Sequence, residues 1–184
     1  MPANSGYSQG GVTYNYGLEP RAQRLKAGRD GSVVLFSATF SGGGSGSLES
    51  LSLLRCGSDG RILNLLPFIA LSEQSDHAAW QLPEISKYPI LVTADYDWTK
   101  GETHFARHYY EVSAYELDPG TDRYVRLFRY RTALKYASLD EADTIHVIEP
   151  ERSNILHRLE AHQPLVTSPP PAISRAGRTS RQQK

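Results

Sequence analysis

Short runs of β-branched, leucine and aromatic residues, separated by breaks rich in Gly, Ser, Asp and Pro, make up most of the chain between residues 12 and 162. That rhythm predicts strands joined by turns rather than helices. Val34-Leu35-Phe36-Ser37-Ala38-Thr39-Phe40 aligns without a gap on Ile90-Leu91-Val92-Thr93-Ala94-Asp95-Tyr96. A glycine-bearing polar loop follows each run, Ser41 to Gly46 in one and Asp97 to Glu102 in the other. Then come a second strand (Leu51 to Arg55 against Val112 to Glu116), a turn (Gly57 to Gly60 against Asp118 to Asp122) and a third strand (Arg61 to Leu66 against Arg123 to Phe128). Turn-forming residues occupy both breaks.

Three matched strands in one order predict a mainly β fold: two diverged β-meander units, about 33–69 and 89–130, packed as a small sandwich or blade pair. Any two meanders share such a layout, so the strands are the firmer part of the expectation and common descent of the units the weaker. Between the units, Ser72 to Lys87 has Trp80, Leu82 and Ile85 as its few apolar anchors and reads as a long connection lying on the core. Leu18 to Lys26 fits either a strand or one helical turn. Ser138-Leu139-Asp140-Glu141 has a capping-box pattern, and Thr144 to Ile148 reads as a last strand.

One C-terminal helix is expected over about 150–161. Pro150 suits its first turn, Glu149 and Glu151 its positive end, and His157 and Arg158 its negative end. Ile155, Leu156 and Leu159 form a stripe that would seat it on a sheet. Residues 1–11, rich in Gly, Ser and Asn, are expected to be a disordered N-terminus, and 163–184 a disordered basic tail carrying Arg175, Arg178, Arg181 and Lys184. Residues 12–162 then form a single domain, as suits a chain of 184 residues.

Twenty basic and twenty acidic side chains give zero formal charge, which disfavours a nucleic-acid partner because phosphate neutralisation demands a basic excess. Cys56 is the sole cysteine, so neither an intramolecular disulfide nor a multi-cysteine zinc site can form. No apolar run has the length of a membrane-spanning helix, and the first residues lack a signal-peptide pattern. Cytoplasm is the default expectation, with secretion or a periplasmic location if a leader has been removed.

The densest set of acid–base groups is Asp95, Asp97, Glu102, His104 and His108, around the loop of the second unit. Imidazole and carboxylate together suit a divalent ion, and this set is the candidate metal site. His104 and His108 lie roughly 13 Å apart along an extended strand, so they share an ion only if the chain bends. A second set has the residue types enriched in interface hot spots: Trp98, Arg107, Tyr109, Tyr110, Tyr115, Arg126 and Tyr130. Tyrosine is also an ordinary strand former, which gives those positions a purely structural reading. No serine sits in a Gly-x-Ser-x-Gly elbow, and the glycine-rich loop lacks the lysine of a phosphate loop.

In layout, paired β units with a Gly/Ser-rich loop from Val33 to Tyr130, the chain resembles blade-like bacterial proteins of the FG-GAP type, some of which inhibit lysozymes. Asp95-Tyr96-Asp97-Trp98-Thr99-Lys100-Gly101 departs from the calcium loop of such repeats by lacking the third alternate oxygen ligand and holding Lys100. No site residue carries over. The resemblance implies a protein-binding module rather than an enzyme. Separately, no cofactor is expected, with a divalent metal at the acidic and histidine set as the alternative. The expectation is therefore a non-enzymatic inhibitor- or immunity-type protein whose partner is another protein. The alternative is a metal-dependent hydrolase built on Asp95, Asp97, Glu102, His104 and His108.

Overall fold

The computed structural model describes residues 6–9, 12–15, 20–28, 31–41, 47–72, 74–103, 106–137 and 145–162. The tail 163–184 and the capping-box segment 138–141 lie outside them. Within them the fold is mainly β, with two antiparallel sheets and one C-terminal helix. The strands are β1 Gly6–Gln9, β2 Val12–Asn15, β3 Arg21–Ala27, β4 Gly31–Ser41, β5 Ser47–Cys56, β6 Ile62–Asn64, β7 Ile69–Ser72, β8 Asp76–Trp80, β9 Ile90–Asp97, β10 Tyr109–Asp118 and β11 Arg123–Arg131. Helix α1 is Arg152–His162.

Sheet A is built on the β4–β5 pair. β3 flanks one half of β4, β2 meets its end at Ser41, and β6 and β7 share the far side of β5. Sheet B is the meander β8-β9-β10-β11. The stretch Ser72 to Lys87 is thus not wholly connection, because Asp76–Trp80 pairs along β9 as an edge strand. The third strand of the first unit is also interrupted. Its register on β5 shifts by two residues across Leu65 to Phe68, where Pro67 has no N–H to give a ladder. The N-terminal stretch carries the hairpin β1–β2, and Ile145–Ile148 takes no strand conformation.

Pairing also corrects the alignment of the two meanders. Leu53 lies opposite Leu35 in sheet A and Tyr115 lies opposite Leu91 in sheet B. Leu53 therefore corresponds to Tyr115, one residue away from the match that set Leu51 on Val112. A one-residue slip exchanges the faces of a strand, and Leu51 points between the sheets while Val112 points away from sheet A.

Two cores follow from this alternation. Leu25, Val33, Leu35, Leu51, Leu53, Leu65 and Leu71 of sheet A meet Leu91, Leu117 and Tyr124 of sheet B. The opposite face of sheet B, with Ile90, Val92, Ala94, Tyr110, Val112, Ala114 and Phe128, packs against Ile145, Val147 and Ile148 and against Ile155 and Leu159 of α1. Sheet B is thus the middle of three layers, and β9 is buried on both faces from Ile90 to Ala94.

Polar groups fasten the layers where the apolar faces end. Between the sheets, Gly28 N donates to Lys87 O at 2.8 Å and Tyr124 N to Leu65 O at 2.8 Å. Gly28 has φ +70°, a conformation that glycine adopts without steric cost. Arg55 reaches across to Asp122 in a bidentate ion pair. On the other face, the Asp76 carboxylate accepts N–H bonds from Val147 and Ile148, both 2.9 Å. Glu151, in the turn before α1, accepts the Tyr130 and Tyr136 hydroxyls at 2.9 and 2.7 Å and the Asn154 amide at 3.0 Å. Burial works against the Glu151 charge, but these donors outweigh it and hold the carboxyl below its usual range. Burial, together with donation to Glu151, pushes the Tyr136 phenol up to about 12.

The layers predict an uneven response to truncation. Leu53→Ala, at a position with no exposure, should cost about 2–5 kcal/mol. Ile62→Ala, 71% exposed, should cost about 0.5 kcal/mol or less. Urea denaturation of both variants checks this, and equal losses would contradict the assignment of faces.

Candidate functional site

The β9–β10 connection begins at Trp98 and is shaped by reciprocal bonds at its turn. Glu102 N donates to Thr99 O at 3.0 Å, and Thr99 N donates to Glu102 Oε2 at 3.2 Å. Gly101, at φ +90°, allows the reversal. This local loop leaves the Glu102 carboxylate facing His108 Nδ1 at 3.0 Å and Lys135 Nζ at 2.6 Å. Hydrogen bonds from Lys135 and then His108 hold the Glu102 carboxyl far below its ordinary 4.5, at about 2.

His108 is 1% exposed and is pinned on its backbone as well, because its N–H and C=O exchange 2.8 Å bonds with Tyr136. Its ring lies against Tyr96 and Trp98, with centroids 5.2 and 5.3 Å away. Trp98 packs edge-on to Tyr96 at 4.9 Å yet stays 47% exposed. The indole is therefore an outer plate on a base of Tyr96 and His108. Among the described residues, two buried polar atoms, His108 Nε2 and the Tyr110 hydroxyl, have no hydrogen-bond partner. Such groups are uncommon in folded proteins because each forfeits its solvation.

Lys135 continues the platform across the end of the sheet. Its ammonium stands 5.0 Å from the Tyr109 ring centre, and the Arg131 guanidinium lies over the same ring at 4.0 Å. Arg131 is paired with Asp97 at 2.8 Å. An unbroken series of contacts thus runs from Trp98 through His108, Glu102, Lys135 and Tyr109 to Arg131 and Asp97. Leu134, 67% exposed, lies beside Lys135 in the chain. Thr132 fixes this segment, donating to Leu134 O at 2.8 Å while its hydroxyl accepts Tyr110 N at 3.0 Å.

Of the acidic and histidine residues singled out from the sequence, Asp95, Asp97, Glu102 and His108 are spread over this end of sheet B. Asp95 points toward sheet A and accepts Ser72 N at 3.1 Å and its neighbour Tyr96 N at 3.0 Å. Burial pushes its carboxyl up in spite of those bonds. Asp97 serves Arg131, and Glu102 serves His108 and Lys135. His104 lies outside the described residues. Among the described residues, no three His, Cys, Asp or Glu side chains are placed to share a metal ion.

The aromatic and arginine residues divide as well. Trp98 and Tyr109 belong to the platform, and exposed Arg107 lies in the same connection. Tyr110 does not belong to the surface: its ring is wholly buried between sheet B and the C-terminal layer, so it cannot touch a partner. Tyr115 packs on the core between the sheets, and Arg126 is its cross-strand partner, roughly 20 Å along the strand from Tyr109. Tyr130 is engaged by Glu151 and by Arg158, whose guanidinium lies 4.2 Å from its ring centre. Sequence reasoning did not place Lys135 or Leu134 here, since they lie beyond the last matched strand in a segment without a periodic signal.

No protein-family model and no curated protein matches the chain. Among solved structures, the crystal structure of CarG is similar, with 20% identity and a TM-score of 0.44 over 68% of this chain and 90% of that one.

The depressed Glu102 carboxyl gives a pH signature. A group whose pKa is lower folded than unfolded contributes its stability fully above the unfolded value and loses it as pH falls toward the folded value. The stability difference between the native chain and Glu102→Gln should stay constant from neutral pH to about 4.5 and shrink as pH falls toward about 2. Urea titrations across that range check it.

Proposed function

We propose that the protein is a non-enzymatic, protein-binding module of inhibitor or immunity type. Its contact surface is the end of sheet B that carries Trp98, Tyr109, Arg131, Leu134 and Lys135. One observation carries this reading: a half-exposed tryptophan is held on a buried histidine, which Glu102 and Lys135 link to a tyrosine ring flanked by two cations. Tryptophan, tyrosine and arginine are the side chains that dominate binding energy at protein interfaces, where a few central anchors outweigh the surrounding contacts.

Rigidity supports the same reading. Binding loses free energy to the ordering of side chains and loops. Here that ordering is already present, since Glu102 fixes His108 and Lys135 together and the Tyr136 bridge closes the end of β10. Arg107, exposed in the same connection, would extend the surface with a further cation. The mixed charge around the rings, with Arg131 beside Asp97, suits a partner surface carrying both signs rather than a polyanion.

A photo-crosslinking residue placed at Trp98 in the producing cell should give a discrete protein adduct. The same residue at Arg24, exposed on β3, should not. Trp98→Ala should then weaken the captured complex by about tenfold or more while leaving the urea midpoint near that of the native chain. Identical adduct patterns from both positions, or none from either, would contradict the proposal.

A further inference from the structure

A second polar cluster lies between β3, β4, β5 and β8, apart from the Trp98 platform. Glu49 on β5 and His77 on β8 face each other across the gap between the sheets, with Nδ1 of the imidazole 3.3 Å from Oε2 of the carboxylate. Ser37, only 4% exposed, hydrogen-bonds the same carboxylate, and Arg21 lies close enough to act on its charge. Burial alone would raise the Glu49 carboxyl, but His77, Ser37 and Arg21 together outweigh it and hold it down.

Beside this cluster is a cavity of about 280 Å³ lined by Arg21, Ala22, Gln23, Leu35, Ser37 and His77. β3 is an edge strand whose inward positions are Arg21, Gln23, Leu25 and Ala27. The last two are buried in the core, whereas the first two are exposed, so the cavity opens at the N-terminal half of β3. Arg21 and Gln23 offer it N–H donors, whereas the Ser37 hydroxyl hydrogen is committed to Glu49 and His77 can donate from Nε2 only in its imidazolium form. Glu49 is not part of the lining and is already engaged by His77 and Ser37. With Nδ1 directed to Glu49, Nε2 is the nitrogen of His77 left for an occupant, and a carboxylate at Nδ1 fixes the orientation of that ring.

The geometry points to this cavity as a binding site for a small oxyanion, a short-chain carboxylate or a phosphate. Arg21 is the charged donor, and Gln23, Ser37 and His77 surround the same space. Arginine's planar fork matches both oxyanions. Leu35 and Ala22 supply the apolar contact that a short carbon chain would use, and the volume lies at the small end of ligand pockets. Nothing in this assignment depends on the Trp98 surface, so either can fail without the other.

The test follows the ring resonances of His77 in the full-length protein by two-dimensional carbon–proton NMR, assigned by their loss in His77→Gln. Sodium propionate and sodium phosphate are titrated separately, each against sodium chloride at matched ionic strength. A saturable shift with propionate identifies a carboxylate site, and one with phosphate a phosphate site. In either case Arg21→Met should weaken the apparent affinity about tenfold or more, as expected for loss of a charge-assisted hydrogen bond. Arg24→Met, which alters the neighbouring side chain on the opposite face of β3, should not. Shifts that follow ionic strength whatever the anion, or equal effects of the two arginine variants, would overturn the assignment.

Discussion

A sheet that is apolar on both faces cannot end at one partner layer, and this constraint organises the molecule. β9 sends Leu91 toward sheet A and Ile90, Val92 and Ala94 toward the C-terminal segment, and β10 sends Leu117 one way and Val112 and Ala114 the other. Leaving either face in water would forfeit roughly 25 cal/mol for each Å² of apolar surface. Sheet A covers one face, and Ile145 to Ile148 with α1 cover the other. The carboxylates that fasten the second cover, Asp76 and Glu151, stand where the chain must turn and offer its N–H groups and tyrosine hydroxyls for bonding. The helix is therefore an integral third layer.

The platform at the end of sheet B inherits its order from that burial. His108 is held by Glu102, by the Tyr136 bridge and by the Tyr96 and Trp98 rings packed against it, and Tyr110, two residues on in β10, anchors the core. Trp98 is consequently exposed on something that does not yield. A tryptophan on a loose loop would lose conformational freedom on meeting a partner, whereas this one has already lost much of it in folding.

The mainly β class, the two sheets and the C-terminal helix were legible because each rests on local signals: β-branched runs, turn residues, and a proline followed by the Ile155 and Leu159 stripe. β8 was hidden because Asp76-His77-Ala78-Ala79-Trp80 has little β-branched character and owes its conformation to pairing with β9. The break at Pro67 and the one-residue slip between the meanders arise from pairing partners that no local pattern reports. The site was half legible. Trp98, Arg107, Tyr109, Glu102 and His108 stood out by residue type, but the sequence does not show that Glu102 and His108 hold each other. Tyr110 was misjudged because alternation alone does not tell which face of a doubly covered sheet reaches water. The Glu49–His77 pair, contributed by strands of different sheets, left no trace in spacing.

The central claim, that the Trp98 surface is rigid because it is built on a doubly buried sheet, is tested most directly by native-state hydrogen exchange at the His108 and Tyr136 amides. If the claim holds, these two exchange only through the global opening that also releases the central amides of β9 and β10. Exchange orders of magnitude faster, by a local opening that leaves the centre of sheet B protected, would contradict it.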